Sequence, residues 1–341
     1  PPEEEQSDTT YQPVIAIFAV CALLALAPPA MADVERALDE TILPGFFSFA
    51  TATEDLARDA QTGCTPEELS ASYNAAYDAW MEVADLHMGP SETRALTIEF
   101  WPDTRGFTPK TLKGLIAAED PVVDDPAAFN ESSIAGRGFL ALDMLLFDPD
   151  FAGYREGDYT CRLVQAVATD LAAQARLLNK EWSGTFAQTL RSAGEADNAT
   201  YLSKDEATRA LYTQLVAGLE FIADTRLGRP LGTYDRPRPT RAEAYRSGRS
   251  LRNVVLALKA DDALAHALAD RPLPETEKAI AHALTSADRV TDPAFQDIDD
   301  PQSRIKVEVL QQAVRAVKDA VEIEIGVPMG ITPGFNSQDG D

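Results

Sequence analysis

The sequence predicts an all-α fold built as two antiparallel helical bundles with a cleft between them. Three observations carry this. Apolar residues recur at three- and four-residue spacing along most of the chain. Helix-start punctuation recurs as well: Thr65-Pro66-Glu67-Glu68, Ser203-Lys204-Asp205-Glu206 and Thr240-Arg241-Ala242-Glu243 all read as capping boxes. No stretch shows a convincing two-residue alternation of the kind a half-buried strand needs. With 341 residues and 45% apolar content the chain is large enough for two cores. The polar stretch 192–202 is the expected linker, giving an N-terminal bundle over 33–195 and a C-terminal bundle over 196–341.

Taken in order, the apolar run Val14 to Ala27 is followed by Pro28-Pro29-Ala30-Met31-Ala32. The run is too short to cross a bilayer comfortably, and Ala30-Met31-Ala32 has the small-x-small form of a cleavage site. Residues 1–32 are therefore expected to be a signal peptide, with the mature, periplasmic chain starting at Asp33. The acidic stretch before the run lacks the usual Lys or Arg. A lipid anchor through Cys21 is the weaker alternative, because Val20 is bulky where a small residue is wanted. Cys64 and Cys161 remain after cleavage. In an oxidising compartment the simplest expectation is a disulfide between them; the alternative is two buried thiols.

Asp33 to Ala60 reads as the first helix, bent or broken at Pro44-Gly45. Thr65 opens a second, whose stripe is Leu69, Tyr73, Ala76, Trp80, Val83 and His87, ending at Gly89-Pro90. Thr108-Pro109 starts a third. Residues 119–131 are expected to be a loop. Ile134 to Phe147 reads as a buried helix, apolar around most of its circumference. Thr160 caps a long helix carrying Leu163, Val167, Leu171, Leu178, Trp182 and Phe186. The last, with Val307, Leu310, Val314, Val317 and Val321, has the spacing of a bundle seam. Two helix exits match: Leu227-Gly228-Arg229-Pro230-Leu231-Gly232 and Ile325-Gly326-Val327-Pro328-Met329-Gly330. Each alone is ordinary helix termination. Together they suggest a fixed docking turn.

The formal charge of -25 argues against nucleic acid and anionic lipid as partners and favours cations. One acid, Asp143, sits inside the apolar helix, where a carboxylate is expensive unless paired, hydrogen-bonded or metal-bound. It is the expected functional centre. Small residues before it (Ala135, Gly136, Gly138) leave room for another backbone. The run Arg246, Arg249, Arg252 is the main basic feature. Arg246 and Arg249 are expected on one helix face with Asn253, either ion-paired at the surface or in the cleft, pairing Asp143 or holding an anion bidentately with help from Ser247. His87 reads as a core or interface histidine or, alternatively, a metal ligand reaching toward Asp143. There is no Gly-rich phosphate loop, no CxxC and no EF-hand pattern. Asp297-Ile298-Asp299-Asp300 reads as a solvated loop.

Several stretches resemble the imelysin family of exported, helical, peptidase-like proteins. They are Phe100-Trp101-Pro102-Asp103 with Gly106-Phe107-Thr108-Pro109-Lys110, Gly136-Arg137-Gly138-Phe139-Leu140-Ala141-Leu142-Asp143, Gly228-Arg229-Pro230-Leu231-Gly232 with Tyr245 to Asn253, and the ending Gly334 to Asp341. The resemblance implies two helical bundles with a site between them, a link to iron uptake, and a docked tail. It adds Trp101 and Arg137 to the candidate binding residues. The family hallmark is Gly-x-His-x-x-Glu on a helix, a pair able to hold a metal. Here Leu140 stands at the His position and Asp143 at the Glu position. The expectation is accordingly a non-catalytic binding protein for iron or another divalent metal, haem or a peptide. A metallopeptidase and a scaffold for envelope proteins are the alternatives.

Overall fold

The computed structural model describes residues 34–332 apart from Asp270. The expected signal peptide 1–32 with Cys21, and the ending 334–341, lie outside the described residues. A short lead-in, Val34–Ala37, passes through a π-helical turn, Leu38–Ile42, into α1 (Leu43–Ala60). Pro44 lies in the first turn of α1, where its missing N–H costs little. The bend expected at Pro44-Gly45 is therefore a widened turn just before it. After α1 come α2 (Pro66–Met81), α3 (Pro90–Ile98), α4 (Phe107–Ala118), α5 (Gly138–Phe147) and α6 (Tyr159–Glu181). Two short turns, Pro121–Asp124 and Pro126–Asn130, replace the expected loop. Asp120 and Asp125 cap them, which is what the Asp-Pro pairs encode.

Residues 192–203 connect this group to α7 (Lys204–Glu220), α8 (Ser250–Leu268), α9 (Pro274–Ala287) and α10 (Pro301–Val321). Among the described residues the only β pairing is the isolated bridge Thr233 to Arg236, so the all-α class holds. Helices α1, α2 and α6 pack together, and α5 is enclosed by α2, α3, α4 and α6. That enclosure explains its all-round apolarity: eight of its ten residues are buried. In the second group α7 packs on α8 and α10, and α9 on α10. The groups meet where α2 lies against α8, and where Arg36 donates from its Nε to the Ala267 carbonyl at 2.9 Å.

The Cys64–Cys161 disulfide ties the turn before α2 to the first turn of α6, with Cα atoms 5.4 Å apart. The capping box at Thr65 forms: its backbone N–H donates to Glu68 Oε2 at 3.0 Å. Both matched exits follow a π-helical turn, Phe221–Leu227 and Glu322–Gly326. Each exit then docks on the long helix of the other. A Cβ on Gly228 would stand 3.2 Å from Gln311 Nε2 on α10, and one on Gly326 would stand 2.2 Å from the Tyr212 hydroxyl on α7.

Two expected helix starts are displaced. The run from Ile134 is a single 3-10 turn with Arg137 extended, and α5 begins only at Gly138. Gly138 has φ +69°, and an added Cβ would lie 2.1 Å from the Ile98 carbonyl oxygen at the end of α3. Only glycine fits there. The helix expected from Thr240 begins instead at Ser250, because Ala244 and Gly248 take left-handed φ values of +45° and +72°.

Candidate functional site

The left-handed residues at 244 and 248 turn the backbone so that Ser247 faces α5. Ser247 donates to Asp143 Oδ1 from its backbone N–H at 3.1 Å and from its hydroxyl at 2.6 Å. Tyr73 reaches the same oxygen at 3.5 Å. Arg246 Nη1 lies 3.7 Å from Asp143 Oδ2, while its Nε donates to Asp148 Oδ2 at 2.5 Å. Asp143 is fully buried, and Oδ2 accepts no hydrogen bond among the described residues. Burial raises its pKa above the ordinary aspartate value, opposed by the Ser247 hydroxyl and the Arg246 charge.

Arg249 is not part of this constellation. It is buried and donates to Asn74 Oδ1 and Asp78 Oδ1, both at 2.6 Å, over the face of Tyr77. Because residues 242–249 are not helical, it shares no helix face with Arg246. Asn253 is also drawn elsewhere, donating to Glu243 Oε2 at 2.9 Å. Arg137 forms a buried two-point pair with Asp170, 2.8 Å on each side, and donates to the Asn130 carbonyl. Its role is to fix the entry to α5. His87 is not a core residue. Helix α2 ends at Met81, and His87 sits exposed in the following turns, its ring 6.5 Å from that of Phe221, with no hydrogen bond to Asp143.

A cleft of about 190 Å³ opens beside α5. Leu140 and Met144 form its apolar floor. Trp101, Asp103 and Tyr245 stand on its walls, with the arginines Arg229, Arg241 and Arg246. Trp101 meets Phe221 edge-on at 6.0 Å. Asp103 is occupied by the backbone N–H groups of Phe107 and Thr108, at 3.0 and 2.7 Å, which lower its pKa. Leu140 offers no donor atom. Asp143 points its bonded oxygen at Ser247 and its other oxygen at a guanidinium. These residues do not fit a metal held by the Gly-x-His-x-x-Glu pattern.

Sequence reasoning missed Arg229 and Arg241 as cleft residues. Arg229 lay inside the docking-turn motif and Arg241 inside a supposed helix cap, so each already had a structural reading. It also missed a buried network behind the cleft. Arg226, at the π-turn leaving α7, bonds Asp85 at 2.9 Å and Glu243 at 3.1 Å. Glu99 accepts from Trp80 Nε1 at 2.8 Å and from the Tyr77 hydroxyl. Burial, then the Glu243 charge, pushes Glu99 up to about 8. Asp261 is likewise raised by burial and by Asp85, and its buried Oδ2 accepts no hydrogen bond among the described residues.

Comparison with known proteins places this architecture. The family model described as Imelysin matches residues 42–321. "Iron-regulated protein A" of Synechococcus elongatus is 24% identical over 319 residues, covering 84% of this chain and 83% of that protein. An imelysin-like protein from Psychrobacter arcticum 273-4 superposes with a TM-score of 0.72 at 17% identity, over 91% of this chain and 100% of the other. A structure described as an iron-regulated protein A precursor from Parabacteroides distasonis gives 0.67 at 13% identity, over 87% and 93%.

Proposed function

The chain belongs to the imelysin family, and from that premise we propose that it is an exported, non-catalytic binding protein of iron handling, holding its ligand in the cleft beside α5. The iron link comes from the name of its relative, iron-regulated protein A. Export is supported by the word precursor in a structural relative's description and by the Cys64–Cys161 disulfide, which persists in oxidising compartments. The observation that carries the binding role is the fate of the hallmark pair. An aliphatic Leu140 replaces the imidazole, and the remaining acid is engaged by Ser247 and faces Arg246. A hydrolytic metal site needs several protein ligands and an open coordination position, and this pair supplies neither. Among the described residues no group of three or more His, Cys, Asp or Glu side chains is placed to hold a metal ion.

The test is a metal and activity assay on the purified chain. Iron-dependent ligand binding that weakens when the cleft is altered, without peptide hydrolysis, supports this reading. Stoichiometric zinc with chelator-sensitive cleavage of peptides would establish the metallopeptidase instead.

A further inference from the structure

Acids outnumber bases 55 to 30 in this chain, yet the cleft is lined by cations. Arg246 is matched by Asp143 and Asp148. Half-buried Arg229 and exposed Arg241 are matched by no ion pair or side-chain hydrogen bond among the described residues, and Arg229 Nε is buried with no acceptor. A buried donor left unsatisfied is destabilising unless an acceptor arrives. Burial and the neighbouring Arg241 both lower the pKa of Arg229, the direction expected for two guanidinium groups facing a shared space with nothing anionic between them. Asp103, the acid lining the cleft, has its oxygens turned to backbone donors. A surface this acidic would ordinarily supply partners to such arginines, so their isolation points to a ligand that brings its own negative charge.

The shape narrows the class. The cleft is smaller than the roughly 300–1,000 Å³ of drug-sized sites, so it suits a metabolite-sized group. Guanidinium forks match planar carboxylates bidentately, and the Leu140–Met144 floor with Trp101 and Tyr245 packs a short carbon skeleton. We propose that this cleft binds a small di- or tricarboxylate anion, either free or as its ferric chelate, through Arg229 and Arg241. Iron would then be recognised by the carboxylates that wrap it and not by bonds from the protein. This inference rests on the cleft being the ligand site of the proposed function.

The experiment is calorimetric titration of the full chain with citrate, with ferric citrate, with inorganic phosphate and with uncomplexed ferrous iron, in the wild type and in Arg229→Met/Arg241→Met. Binding of citrate or ferric citrate, weakened at least tenfold in the double variant and by added salt, supports the proposal, provided the variant keeps the wild-type melting temperature. Much tighter binding of ferric citrate than of citrate identifies the chelate as the source. Equal binding of both leaves the anion site standing while removing the iron reading. Ferrous iron bound equally by wild type and variant, with no response to citrate, keeps the iron reading and overturns the anion site. Phosphate binding as tightly as the carboxylates overturns the carboxylate assignment, and no binding of any anion overturns the proposal outright.

Discussion

At the scale of single residues, the cost of a buried charge decides what each acid does. Asp143 offsets that cost with the two Ser247 donors. Asp143→Ala strands both, and urea denaturation should show a loss of about 2–3 kcal/mol. Asp143→Asn keeps an oxygen at Oδ1 and should lose less. Glu99 behaves differently. Its folded pKa stands at about 8, above the ordinary 4.5, so the native state holds a proton that the unfolded chain releases. The stability this brings is complete below about pH 4.5 and is lost as pH rises through 8. The loss is on the order of 5 kcal/mol at most. Chemical denaturation between pH 5 and 9 should show that decline in the wild type and a flatter profile in Glu99→Gln. Asp143 was legible from the sequence, because one acid interrupts a long apolar run. Glu99 was not: it follows a short helix, and its neighbours Glu243 and Arg226 come from more than a hundred residues away.

Elements follow local signals closely until glycine or proline allows two outcomes. The helices opened by Thr65 and Ser203 start where their caps predict. The cap-like Thr240-Arg241-Ala242-Glu243 fails because tertiary demand wins: the chain must turn through Ala244 and Gly248 to bring Ser247 onto α5. The two matched exits show the reverse case, where a repeated hexapeptide did announce a shared π-turn and a docked glycine, although the turns that follow differ, α-helical in one and 3-10 in the other. Gly326→Ala would drive a methyl group into the Tyr212 hydroxyl. It should destabilise the chain by roughly 1–3 kcal/mol. Adding Tyr212→Phe removes the nearest clashing atom and leaves Cζ at 2.9 Å, so the double variant should lose less than the two single losses summed. The Cys64–Cys161 bridge spans 97 residues of sequence. Its reduction should cost on the order of 5 kcal/mol in the chain-entropy model, read as a shift of the denaturation midpoint with and without reductant.

For the molecule as a whole, a net charge of -25 means that folding gathers like charges together. Thermal melts should therefore rise by several degrees between 10 mM and 300 mM salt as that repulsion is screened. Fold class was open to reading because helical period repeats over hundreds of residues. The cationic cleft was hidden because its walls come from residues 101–109, 140–144 and 229–246, which only folding brings side by side. Arg226 shows what such convergence entails. One guanidinium answers Asp85 from the first helical group and Glu243 from the second. Were the peptide cut within 192–202, Arg226 would keep Glu243 on its own fragment while Asp85 would be stranded on the other, so the N-terminal half should stay open when alone and close when the two are mixed.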